Sequence, residues 1–232
     1  MILRKFAVCC LIIFLVLSVM FYKECSYMAT QSTYEPAPRI TVVLDAGHGG
    51  FDGGAEADDG TLEKDLNLCV AKKLEALLLQ GGFAVVMMRD EDKGLENNAE
   101  DSISSKKISD MKRRLEIINS NPDALFVSIH MNKFTTANPS GAQVFYSGNN
   151  QNSLSLAENV QQSIKNLLQS ENKRVVKQAD KSIYLLYNAQ IPAVIVECGF
   201  LSNQTELNNL KNDSYQTKLA LAIYCGMLEY YS

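Results

Sequence analysis

Tryptophan is absent from this 232-residue chain, histidine occurs only twice, and cations are in the minority: 22 Lys and Arg against 26 Asp and Glu give a net charge of -4. Without tryptophan, the usual stacking platform of a carbohydrate-binding module would have to come from tyrosine or phenylalanine, and no dedicated sugar-binding module is visible. The acidic balance lacks the basic field that releases counterions from phosphates, so a nucleic-acid partner is not expected. Disulfide signals are missing as well. Of 6 cysteines, Cys9 and Cys10 lie inside an apolar run and Cys25 lies just beyond it. That leaves Cys69, Cys198 and Cys225, an odd and widely spaced set with no C-x-x-C pair, which reads as buried small apolar residues. The glycine pairs Gly49–Gly50 and Gly53–Gly54 are not followed by the Lys-Ser/Thr of a phosphate loop, so no nucleotide is expected.

What is present begins at the N-terminus. Arg4 and Lys5 precede an unbroken apolar run from Phe6 to Met20. It is longer than most cleaved signal cores and short for a spanning helix, which needs about 17–25 residues. No small-residue cleavage site follows, so residues 1–25 are expected to form a signal or anchor segment that keeps its basic end in the cytoplasm and sends the body across the membrane. Residues 26–38 are polar and irregular, ending in Pro36 and Pro38, as a tether would be. Residues 39–232 are then one catalytic domain, since a chain that is 47% hydrophobic and 21% charged has material for one core.

Within that domain, Ile40–Leu44, Phe83–Met88, Leu125–Ile129, Ala142–Tyr146, Ile183–Leu186 and Ala193–Val196 read as strands. Leu62–Gly81, Ser109–Asn119, Ser153–Leu168 and Tyr215–Tyr230 read as helices. The helix over 109–119 is expected to expose Lys112, Arg113 and Arg114, and the polar stretch 90–109 reads as a long loop suited to lining a site or receiving a partner. Strands that are continuous apolar runs alternating with helices predict an α/β fold: a single-domain three-layer αβα sandwich with a mostly parallel mixed sheet.

The chemistry sits where such sheets place it, beyond the carboxyl ends of strands. His48 in LDAGHGG and His130 in SIHMN each follow a strand, and two histidines so placed in a histidine-poor chain favour a metal site over two structural imidazoles. A catalytic zinc takes three protein ligands and keeps one open position. Glu63, at the start of the first helix, could be the third, although an acidic first turn is ordinary in itself. Glu197 directly follows the apolar run Ala193–Val196. Burial there would raise its proton affinity toward general acid/base work, while a satisfied structural carboxylate is the plainer alternative.

Taken in order, DAGHGGFDGGA, Glu63, SIHMN and VECGFLSN resemble the motifs of the zinc-dependent N-acetylmuramoyl-L-alanine amidases of the Amidase_3 family, over the whole stretch from Ile40 to the C-terminus. The resemblance implies one Zn2+ per chain held by His48, Glu63 and His130, with Glu197 as the catalytic carboxylate and peptidoglycan as substrate. Ala46 stands where many relatives have proline, which alters loop stiffness and leaves ligation intact. LEKDLNL, SGAQVFY and GFLSN are similar to the spore-cortex branch, whose action prepares muramic-δ-lactam for germination; a general vegetative autolysin is the alternative.

Arg89 and Arg114 fall where family members carry arginines. Salt bridges or contacts to stem-peptide carboxylates would each explain them, and Asn132 is a further candidate substrate contact. Asp45 or Asn132 could orient the ligating imidazoles. Two rival readings remain: a thiol enzyme built on Cys198 with His130, and a zinc-binding protein of the same fold that needs an activating protein partner.

Overall fold

The computed structural model describes residues 17–23, 39–97, 102–134 and 139–231. Two compact units are distinguished, Met1–Arg39 and Ile40–Ser232. In the first, residues 17–23 are helical. Among the described residues no helix is long and apolar enough to cross a membrane. Most of the expected 1–25 segment, and all of the 26–38 tether, lie outside the described residues.

The second unit is built on a six-stranded sheet. Its strands are β1 (Thr41–Ala46), β2 (Ala84–Met87), β3 (Ala124–Asn132), β4 (Gln143–Tyr146), β5 (Lys177–Gln178) and β6 (Ala193–Phe200), in the spatial order β2-β1-β3-β6-β4-β5. All pairings are parallel except β4 against β6. The helices are α1 (Glu63–Gln80), α2 (Ile103–Asn119), α3 (Asn152–Leu167), α4 (Tyr184–Asn188), α5 (Gln204–Leu210) and α6 (Asp213–Tyr230). This is the expected αβα sandwich.

Because successive strand residues point to opposite faces, the central strands divide their side chains cleanly. Val42, Leu44, Leu125, Val127, Ile129, Val194 and Val196 enter a large apolar cluster with α1, α3, α5 and α6. Each such side chain, fully buried, contributes about 1.5–3 kcal/mol against exposure. Val43, Phe126, Ala193 and Ile195 point the other way, into a smaller cluster that draws only Ile118 from α2 and Leu185 and Leu186 from α4 among its buried residues. On that second face the strands end in Asp45, Ser128, His130 and Glu197, the residues next in alternation.

Several local expectations are corrected. Ile183–Leu186 does not form a strand: Tyr184–Asn188 is the short helix α4, its run continued by the Tyr187 N–H donating to the Ile183 carbonyl at 2.9 Å. Four apolar residues cannot by themselves separate the two states. The second helix starts at Ile103, capped by the Ser102 hydroxyl accepting from the Ser105 N–H, so the loop before it is shorter than 90–109; residues 98–101 lie outside the described residues. Arg114 is buried at 1% exposure, contrary to its expected place on the exposed side of that helix. Cys69 is exposed, whereas Cys198 is buried, and both are free together with Cys225. β5 and α5 have no counterpart in the sequence reading.

Candidate metal centre

Strand β1 delivers Gly47 and His48 past its end, and the Gly47 N–H donates to the Ile129 carbonyl at 3.0 Å, carrying the β1–β3 ladder up to the neighbouring histidine. A Cβ at Gly47 would overlap the His130 imidazole, so only glycine lets the two segments approach. His48 itself has φ 63, a left-handed conformation that costs a non-glycine residue free energy. The backbone pair Gly49–Asp52 closes the loop behind it, and the Asp52 carboxylate meets His48 Nδ1 at 2.8 Å. Lys107 of α2 pairs with the other Asp52 oxygen at 3.0 Å.

Glu63 enters from the first turn of α1, where helix N–H groups favour a carboxylate. Its Oε1 accepts from the Met131 N–H at 3.1 Å and the Asn67 amide at 3.3 Å, and its Oε2 accepts from the Ala55 N–H at 2.8 Å. The imidazoles flank it, His130 Nδ1 at 3.0 Å from Oε1 and His48 Nε2 at 3.3 Å from Oε2. Gly54, at φ +69, is pressed against both Glu63 and His48 and leaves no room for a side chain.

His48, Glu63 and His130 each offer one donor atom within 4.8 Å of the others. The approaches of the imidazoles to the carboxylate, 3.0 Å for His130 and 3.3 Å for His48, lie near the edge of a tetrahedron with zinc bonds of about 2.0–2.1 Å. Nitrogen and oxygen donors of this type suit zinc. The electrostatics show how strongly the three groups are coupled. Burial works against charge on His48, but Asp52 and Glu63 outweigh it and push the imidazole up to about 9. Burial would raise the Glu63 carboxyl, yet the two imidazoles hold it well below the usual carboxylate range.

Glu197 reaches the same spot from β6. In the parallel β3–β6 pairing it is the direct partner of His130, and a register shift follows between His130 and Asn132. Its Oε2 is buried without a hydrogen-bond partner, and burial raises its carboxyl above the ordinary value. A carboxylate so placed holds a proton more readily than one in water, the condition for acid/base work near neutrality. A cleft of about 370 Å³ opens over these groups, lined by His48, His130 and Glu197 and by apolar Met111, Ile183 and Ile195.

The remaining predicted residues take other positions. Arg89 is buried at 1% exposure and donates to the carbonyls of Ala46, Gly47, Lys64 and Glu91, so it ties the β1 loop to α1. Arg114 pairs with Asp45 and Asp110 and donates to the His48 carbonyl at 2.8 Å, the salt-bridge alternative of the sequence reading. Asp45 also accepts from the Ser128 hydroxyl. Its hydrogen bonds go to Arg114 and Ser128, and the carboxylate behind His48 is Asp52, which sequence reasoning missed. Asn132 is half-buried at the end of β3, its carbonyl accepting from the Leu201 N–H at 2.7 Å. Cys198 alternates to the opposite face from Glu197, joins the large apolar cluster, and has its thiol pushed up by burial, which removes the thiol-nucleophile reading.

Comparison with known proteins gives one consistent answer. The family described as N-acetylmuramoyl-L-alanine amidase, Amidase_3, matches residues 42–229. The germination-specific N-acetylmuramoyl-L-alanine amidase of Bacillus subtilis (strain 168) is 35% identical over 191 residues, 82% of this chain and 79% of that protein. Among solved structures, the CwlD amidase from Clostridioides difficile in complex with the GerS lipoprotein superposes with a TM-score of 0.80 at 40% identity, over 83% of this chain and 98% of that one. The amidase AmiC2 of Nostoc punctiforme gives 0.72 at 30% identity, over 84% and 99%.

Proposed function

This chain belongs to the Amidase_3 family and is an N-acetylmuramoyl-L-alanine amidase, a hydrolase acting on peptidoglycan; we propose that His48, Glu63 and His130 hold one zinc ion for that reaction and that Glu197 handles its protons. The observation that carries the proposal is the convergence of the three donor groups within 4.8 Å, with Glu197 as the register partner of one of them. Bound zinc supplies acidity to a water, whose pKa it lowers toward about 7, and polarises a carbonyl.

The chain's own residues do the rest. Asp52 fixes the orientation of His48 from behind, and the backbone N–H groups of Ala55 and Met131 hold Glu63 in place. Glu197, kept from strong solvation by the cleft, takes a proton from the attacking water and passes it to the departing L-alanine nitrogen as the lactyl amide breaks. Mass spectrometry of peptidoglycan digests tests this. The intact chain should release stem peptides with a free L-alanine amine and stop when chelated; full activity of a zinc-loaded Glu197→Ala chain would sink the assignment.

The likeness to a germination-specific amidase and to CwlD supports spore cortex as the site of action, where freeing muramic acid of its stem prepares δ-lactam formation. Loss of cortex muramic-δ-lactam in spores lacking this chain is the expected result. The CwlD structure is a complex with a lipoprotein, which supports a second reading: an activating protein partner is required. A purified domain that holds zinc yet stays silent until such a protein is added would establish it. We place the enzyme outside the cytoplasm, exported through the basic and apolar segment 1–25 and tethered by 26–38, with 39–232 as the catalytic domain. Fractionation of cells expressing a tagged chain checks this.

A further inference from the structure

The three arginines around the site are used very differently. Arg89 spends its donors on four backbone carbonyls, and Arg114 is neutralised by two aspartates. Arg174 is half-buried, its Nη2 donates to the Gln143 side-chain oxygen, and its guanidinium lies over the Phe200 ring at 5.0 Å. Its Nε is buried with no hydrogen-bond partner. Among the described residues it forms no ion pair with a carboxylate. A guanidinium held by stacking and one amide, near enough to Glu197 and Glu206 for its charge to be felt but in salt-bridge contact with neither, is organised to receive a planar anion.

Its location gives that anion an identity. Gln143 of β4 is the direct register partner of Glu197 on β6, so Arg174 stands on the β4 side of the proton-handling carboxylate, and its charge is felt there. The cleft over Glu197 is otherwise lined by apolar Met111, Ile183 and Ile195. The segment that carries Arg174 is basic, with Lys173, Arg174, Lys177 and Lys181 against Glu171 and Asp180 in a chain whose net charge is -4. Lys177 lies over the Phe145 ring, on the same face of the sheet as Glu197. In the reaction proposed above, on which this inference rests, the leaving nitrogen must lie beside Glu197. The peptide stem, which carries carboxylates beyond its first alanine, then leaves over this basic segment.

We propose that Arg174 is a specificity residue of the amidase, binding a carboxylate of the stem peptide next to the scissile amide and so orienting the substrate with its peptide over the β4–β5 edge. Two substrate fragments decide it, alike except that the second stem residue carries a free carboxylate in one and a carboxamide in the other. The zinc-loaded chain should prefer the acid by roughly ten- to hundred-fold in kcat/KM, mainly through KM, as expected for one charge-assisted pair. Arg174→Ala should bring that ratio towards one, and Arg174→Lys should keep part of it.

Calorimetry with the free stem peptides, acid and amide, reads the same preference without turnover. A wild-type chain indifferent to the carboxylate overturns the proposal, as does an Arg174→Ala chain of normal zinc content that loses equally on both substrates. If Arg174→Ala does not fold, the lysine variant carries the test, and an unchanged acid preference there counts against bidentate binding. Should Glu197→Gln prove fully active while the acid peptide still binds better to the wild type, the catalytic reading fails and Arg174 keeps its role.

Discussion

The two faces of the sheet are made by the same strands and have opposite characters. One face buries Leu44, Ile129, Val196 and their neighbours under four helices. The other is covered by α2 and short α4, and carries Asp45, Ser128, His130 and Glu197 at the ends of its strands. Stability is concentrated on the closed face, where apolar burial is complete. The open face holds groups that cost free energy, including a positive-φ histidine and a buried unpartnered carboxylate oxygen. The proposed site lies where the fold can least use the residues for its own support.

Substitutions sharpen this division. The largest effect on activity is expected from His130→Ala, which should abolish zinc binding and turnover together, measured by metal analysis and amide cleavage. Glu197→Gln comes next: turnover should fall about 10²–10⁴-fold, the usual worth of a positioned acid/base, while zinc content holds and the melting temperature rises because a buried charge is gone. Asp52→Asn should weaken zinc affinity by roughly 10–100-fold, the range for groups behind a ligand. On the closed face, Leu74→Ala should cost about 2–5 kcal/mol of stability and leave turnover per folded, zinc-loaded molecule intact. If Leu74→Ala instead lowered turnover as Glu197→Gln does, the division between faces would be broken.

The smallest effect is one of pH on the metal-free chain. The His48 imidazole is raised from 6.5 to about 9 in the folded state, so protonation there adds stability that is fully present below pH 6.5 and lost as pH rises through about 9. Glu63 and Asp52 are depressed, and their contribution is lost in acid instead. Chelator-treated chain should therefore melt at progressively lower temperature from pH 6.5 to 9, read by calorimetry. Zinc-loaded chain, whose His48 would be held neutral by the metal with its Nδ1–H on Asp52, should not show that slope.

The sequence exposed the open face well at its strand ends and poorly elsewhere. His48, His130 and Glu197 were legible because each follows a buried apolar run, and a polar residue there has few structural reasons to exist. Asp52 was not, since Asp52, Glu56, Asp58 and Asp59 share one loop and only the Gly49–Asp52 backbone pair turns the first of them toward His48. Arg114 was misplaced by its polarity. Its spacing from Asp110 and Ile118, four residues either way, puts all three on one helical face, and the apolar member marked that face as inward. Ile183–Leu186 was read as a strand because so short an apolar run has no period to measure.

His48, Glu63 and His130 come from the end of β1, the start of α1 and the end of β3, with Gly47 hydrogen-bonded across to Ile129. No partial chain ending before His130 contains all three donors, so synthesis passes the halfway point of the 232 residues before the set is complete. An ion held as proposed would meet its full donor set only once the ends of β1 and β3 and the start of α1 had packed together.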